Sequence, residues 1–152
     1  MDISNNAKKA RPSSTLSISS NANRMIDEGI DIVNFSAGEP DFNTPDYIKE
    51  AAIEAINDNF TKYTPYEGIV ELRQAVADDL KKNCDLDYTP EQIVISNGSK
   101  HAITNAFMAI LNPGDEVIVP APYWNSYIDI IELCYGVPVV VNTTKQNSFK
   151  VT

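Results

Sequence analysis

Residues 94–103 read VISNGSKHAI. An apolar stretch ends at Asn97-Gly98-Ser99-Lys100, and a helical pattern begins at once. Unpaired backbone N–H groups and the positive end of a helix dipole meet at such a junction. Gly98 allows close backbone approach, and Ser99 adds a hydroxyl donor. This is suitable chemistry for a phosphate. The stretch is neither GxGxxG nor GxxxxGK[ST], so by spacing alone it either holds an anion or merely reverses the chain. Further along, an apolar run ends at Val119-Pro120, and the loop after it presents Pro122-Tyr123-Trp124. Ligands of open α/β sheets bind beyond the carboxyl ends of the strands. Trp124 there either stacks on a flat ring or packs into the core.

Other chemistries are narrowed by composition. His101 is the single histidine, which excludes a histidine-rich metal site and leaves one residue for any Ser-His-Asp arrangement. Cys84 and Cys134 stand far apart without metal-ligand spacing, and we take both as reduced, buried thiols of a cytoplasmic protein. No metal site is expected. Lys plus Arg is 12 against 21 Asp plus Glu, a net charge of −9. A nucleic-acid surface draws its affinity from cations meeting phosphates, so no nucleic-acid partner is expected. The 152 residues are 43% hydrophobic and 22% charged, a globular composition sized for one domain. The most apolar region, 128–141, is interrupted by Asp129, Glu132 and Gly136-Val137-Pro138, so no membrane span is expected. The opening MDISNNAKKARPSS lacks the apolar stretch of a secretory signal.

The elements that must position these residues follow from periodicity. Ile18, Ala22, Met25 and Ile26 share a helical face that ends at Gly29. DIVNF, 31–35, reads as a strand, and SAGEPDFNTP, 36–45, as a loop. Thr44 as N-cap and Pro45 at the first helical position open a helix with Ile48, Ala51, Ala52, Ala55 and Ile56 on one face. A further helix carries Ile69, Leu72, Val76 and Leu80, and Thr89-Pro90 marks a turn. From Ile93 strands and helices alternate. IVIS, EVIVP and VPVVVNT are strands. Ile103, Ala106, Phe107, Ile110 and Leu111 line one intervening helix. Tyr127, Ile130, Ile131, Cys134 and Tyr135 line the other, with Gly136 as its cap. Such alternation implies a parallel sheet flanked by helices. Three strands leave that sheet poorly covered, so the chain reads as the front part of something larger.

Four motifs in order, SAGEPDFNTP, KYTPYEGIVELRQAVA, SNGSKHAITNAF and NPGDEVIVPAPYWNSY, resemble the N-terminal part of class I (fold-type I) aminotransferases that use pyridoxal 5′-phosphate. The resemblance runs from about Arg11 to the end of the chain and is nearest to bacterial aspartate or aspartate/prephenate aminotransferases. It implies an α/β fold: the N-terminal part of a pyridoxal-phosphate-dependent transferase fold, incomplete, with 1–45 as an arm and helix of a small domain and 46–152 as the first part of the large cofactor-binding domain.

The resemblance also assigns roles. Gly98, Ser99 and the backbone of Lys100 match the cup for the cofactor phosphate, and Trp124 the aromatic that stacks on the pyridine ring. Tyr63 matches the tyrosine that reaches the cofactor phosphate of the neighbouring subunit in a homodimer. Gly38 matches the glycine whose N–H meets the substrate carboxylate, and Lys100 a lysine that helps bind the distal carboxylate of a dicarboxylic substrate. Arg11 lies where prephenate-using members carry a basic residue, and Ser14 and Thr15 line the same approach. Read as residues only, Gly38 serves equally as a loop glycine, Tyr63 as a packed aromatic and Arg11 as a solvated charge. The family's Schiff-base lysine, the acidic partner of the pyridine nitrogen and the arginine for the α-carboxylate all come later in such chains. The 152 residues alone are therefore expected to be catalytically inactive. The implied activity is amino transfer between an amino acid, aspartate or glutamate first, and a 2-oxo acid. An aromatic amino acid or alanine is the alternative substrate. A non-catalytic phosphate-ligand-binding module, or half of a split enzyme, is the alternative class.

Overall fold

The computed structural model describes residues 2–9, 14–36 and 38–152, with the side chains of Ser14 and Thr15 outside that description. The chain divides into two compact units. One comprises Met1–Gly38 and Gly98–Thr152, the other Glu39–Asn97.

The first unit holds α1 (Ser14–Asp27), α4 (Gly98–Ile110), β1 (Glu116–Ala121), α5 (Ser126–Leu133) and β2 (Val137–Asn142). The strands pair in parallel, from Glu116 opposite Val137 to Ala121 opposite Asn142. α5 is thus the crossover of a β–α–β unit. Its core is small and lies where α5 meets the sheet: Val119, Ile130, Ile131 and Cys134 are buried, Ile131 to 1% exposure. Burying a side chain of that size contributes about 1.5–3 kcal/mol. The second unit holds α2 (Asp46–Asn57) and α3 (Val70–Cys84), with a single turn of 3-10 helix at Pro90–Gln92. Its buried residues are Ala77 and Ile93.

Three helices end the same way. At Gly29 (φ +80°), Asn59 (φ 59°) and Tyr135 (φ 65°) the chain turns left-handed. The next amide then reaches back five residues: Ile30 to the Met25 carbonyl, Phe60 to Ala55, Gly136 to Ile131. These are Schellman ends, which satisfy carbonyls the helix leaves unpaired. The expected cap at Gly29 is met. The expected cap at Gly136 is corrected: Tyr135 takes the left-handed position. Gly136 serves packing instead, since a Cβ there would lie 3.0 Å from Ile131 Cγ2 and from Leu111 Cδ1.

Further expectations are corrected. Residues 31–35 and 93–96 form no strand; among the described residues the sheet has two strands, not three. A strand needs a partner ladder, and among the described residues only the Ile95 amide of 93–96 has a backbone partner outside its own neighbourhood, the Glu67 carbonyl at 2.9 Å. α2 begins at Asp46 with Pro45 as N-cap, one residue later than expected. Cys84, at the end of α3, is exposed, since Ala77 is the one residue of that helix the unit buries; Cys134 is buried as expected.

Apolar faces are abundant but uncovered. Ile48 and Ile56 of α2 are 45% and 64% exposed, and Ile110 of α4 is 67% exposed. The chain exposes 12373 Å². Two separate globules of the two units' lengths would expose about 9,200 Å² together. The excess therefore does not depend on how the units are arranged. No described helix is long and apolar enough to cross a membrane.

Candidate functional site

The junction at Asn97–Lys100 is the start of α4. Gly98 is its first residue and has φ +78°, a backbone conformation that disfavours any side chain. A Cβ at Gly98 would meet nothing within 4 Å, so the space in front of the turn is open. Gly98, Ser99 and Lys100 are all exposed. The first turn of α4 contains no acidic residue. Its leading N–H groups have no partner within the helix, and a lysine at this end opposes the helix dipole. Hydroxyl, amides, dipole and ammonium all favour an anion there.

Trp124 stands in the loop after the carboxyl end of β1 and is 41% exposed. It is therefore neither a core residue nor a free one. Its ring meets Tyr127 edge-on, with centroids 5.5 Å apart and planes at 85°. The Lys100 ammonium lies over the Trp124 ring, 5.1 Å from its centroid. Such a contact contributes about 0.5–1 kcal/mol at an exposed site. The start of α4 and the loop after β1 are thus brought together through this pair. The Lys100–Trp124 contact and the edge contact of Tyr127 are not readable from the sequence. The only signal for Tyr127 is its spacing of three from Trp124 at the start of α5.

Beside Trp124 runs an apolar cavity of about 470 Å³. It is lined by four successive residues of β1, 117–120, with Phe107, Trp124 and Ile131, and by none of β2. It therefore follows the edge of β1 that β2 does not pair. Among the described residues no cluster of His, Cys, Asp and Glu could hold a metal.

The remaining candidates are not gathered here. Gly38 closes the first stretch of the same unit, with nothing within 4 Å of its Cβ position. Tyr63 belongs to the other unit, where its ring is fully exposed. Arg11 and the side chain of Thr15 lie outside the described residues.

The family model for aminotransferase class I and II matches residues 30–152. The chain belongs to the class I and II aminotransferases. A probable aspartate/prephenate aminotransferase of Rhizobium leguminosarum bv. phaseoli is 49% identical over 142 residues, 93% of this chain and 36% of that protein. An aspartate aminotransferase of Bacillus sp. (strain YM-2) is 43% identical over 150 residues, 99% of this chain and 38% of that protein. Among solved structures, the aspartate aminotransferase of Thermus thermophilus with maleate matches with a TM-score of 0.94 at 41% identity. That match covers 100% of this chain and 40% of the other. The chain thus spans well under half the length of the aminotransferases it matches. The α/β architecture is that of the corresponding part of these pyridoxal-phosphate-dependent enzymes.

Proposed function

We propose that this chain forms the phosphate- and ring-holding part of an aminotransferase that moves an amino group between aspartate or glutamate and a 2-oxo acid. The observation that carries the reading is the start of α4. An open left-handed glycine, an exposed serine and an exposed lysine stand there without an acid, and the lysine lies over an accessible tryptophan ring.

These residues fit pyridoxal 5′-phosphate. When bound, that group supplies an electron sink for a proton leaving the substrate's α-carbon. The Ser99 hydroxyl and the first-turn amides of α4 donate to its phosphate oxygens. The space in front of Gly98 lets the phosphate approach the backbone. The indole of Trp124 offers a flat face to the pyridine ring. The Lys100 ammonium, already held over that indole, offers a positive charge to the distal carboxylate of a dicarboxylic substrate. The Gly38 amide donates to the α-carboxylate, while Arg11 and Thr15 line the substrate approach. Tyr63 reaches the phosphate held by a second copy in a homodimer, consistent with a ring that nothing in its own unit covers. In the intact enzyme, 1–45 belongs to the small domain and 46–152 to the large one. The setting is the cytoplasm.

The test is a substrate comparison in an enzyme whose chain includes residues 1–152. Transamination with 2-oxoglutarate is measured for aspartate, alanine and phenylalanine. Aspartate should lead. Lys100→Ala should raise its KM more than that of the two monocarboxylic amino acids. An enzyme that prefers alanine or phenylalanine, with Lys100→Ala neutral, would contradict the dicarboxylate reading.

A further inference from the structure

The loop between α2 and α3 carries Tyr63 and Tyr66, whose rings are fully exposed. With no neighbour among the described residues against either ring, the backbone is what fixes where its Cα–Cβ bond stands, and rotamers do the rest. At one end the loop is held by the Schellman end of α2, through the Phe60 amide. At the other end stands a turn, Pro65 to Gly68, closed by the Gly68 amide on the Pro65 carbonyl at 3.0 Å.

That turn is gripped by Arg73, from the first turns of α3. The Arg73 side chain is 12% exposed. Its Nε donates to the Gly68 carbonyl at 3.0 Å, and its Nη1 to the Pro90 carbonyl at 2.8 Å. Its Nη2 stands 3.9 Å from Glu67 Oε1. On the other side of the turn, the Ile95 amide donates to the Glu67 carbonyl at 2.9 Å. Gly68 has φ +101°, and a Cβ there would lie 2.5 Å from Ile95 Cγ1. Only glycine permits this approach.

We infer that Arg73 is a positioning residue for Tyr63: its guanidinium ties the Pro65–Gly68 turn to Pro90 and thereby sets where the tyrosine two residues before that turn stands. The inference rests on the proposed role of Tyr63 as a cofactor-phosphate ligand. Pro65 fixes its own φ and biases Thr64 toward extended backbone, so little slack separates the gripped turn from Tyr63. A planar fork can serve two carbonyls on separate segments at once, whereas a lysine ammonium is a single point charge.

The experiment is a double-mutant cycle in an enzyme whose chain includes residues 1–152. It reads affinity for pyridoxamine 5′-phosphate, which has no covalent link to protein, by equilibrium dialysis. Arg73→Lys should weaken binding about three- to tenfold in the wild-type and in the Ser99→Ala background. In the Tyr63→Phe background its effect should shrink below about twofold. Hydrogen exchange at the Gly68 and Ile95 amides should quicken, with β1 and β2 unchanged. An equal loss in the Tyr63→Phe background, or no loss in the wild type, overturns the inference. If Tyr63→Phe weakens binding while Arg73→Lys does not, the inference alone falls. If Tyr63→Phe leaves binding unchanged, the role of Tyr63 falls and the inference with it. Should Arg73→Lys not fold, Ile95→Ala removes the Cγ1 that lies 2.5 Å from the Cβ position of Gly68 and so loosens the other side of the grip. Its smaller loss must show the same dependence on Tyr63, and a loss independent of Tyr63 refutes the inference.

Discussion

Two glycines of the first unit make a controlled experiment. Gly98 and Gly29 have φ of +78° and +80°, and a Cβ at either would meet nothing within 4 Å. An alanine in left-handed backbone costs about 1–2 kcal/mol. Gly98→Ala and Gly29→Ala should therefore destabilise an enzyme that includes this chain by the same amount, with no packing clash at either site. Only one of them stands where a phosphate is proposed to approach. A methyl group at Gly98 would occupy the space in front of the α4 amides. Losing one hydrogen bond to a charged group is worth about 1.5–3 kcal/mol, so affinity for pyridoxamine 5′-phosphate should fall roughly ten- to a hundredfold in Gly98→Ala. In Gly29→Ala it should not change. Thermal denaturation without ligand gives the stability arm and equilibrium dialysis the binding arm. Equal cofactor affinity in the two variants would refute the assignment of the turn.

Two more expectations concern the chain and its thiols. The isolated 152 residues, with α2 and α4 faces uncovered and an apolar edge along β1, should bind a hydrophobic dye or associate; a clean monomer without dye binding would contradict the exposed faces. Cys84 is exposed and Cys134 is 6% exposed, with burial pushing the Cys134 thiol up from its ordinary pKa. Alkylation should modify Cys84 first. Because the folded pKa of Cys134 is raised, its contribution to stability is complete below the unfolded thiol's pKa. It is lost as pH climbs from there through the folded value. A Cys134→Ser variant with an unchanged alkaline stability profile would contradict that.

What the sequence made legible was what depends on local chemistry. Gly29 marks a helix end because a left-handed residue is needed there, and 116–121 and 137–142 are strands bridged by a helix that fits between them. The junction at Gly98 stands where a glycine, a hydroxyl and a helix start coincide. The failures at 31–35, 93–96 and Gly136 share one cause, dependence on distant partners. Residues 31–35 and 93–96 have strand-like composition but no ladder to join. Gly136 looks like a cap, yet its role is to let Ile131 and Leu111 come close, and Tyr135 bears the positive φ. Arg73 is an ordinary polar position on a helix until the fold brings the Gly68 and Pro90 carbonyls to it. The same holds for Lys100, whose ammonium finds Trp124 across 24 positions of sequence that spacing alone does not close.

The central claim is that the start of α4 holds a phosphate through Ser99 and its backbone, while Lys100 serves the substrate. It is tested most directly by comparing these two neighbours in an enzyme whose chain includes residues 1–152. Affinity for pyridoxamine 5′-phosphate is measured by equilibrium dialysis for Ser99→Ala and Lys100→Ala. Ser99→Ala removes one hydroxyl donor to a dianion and should lower affinity about ten- to a hundredfold, with the amides and dipole keeping binding measurable. Lys100→Ala should leave the cofactor in place. Release of cofactor by Lys100→Ala together with retention by Ser99→Ala would contradict the account and make the lysine side chain the phosphate contact.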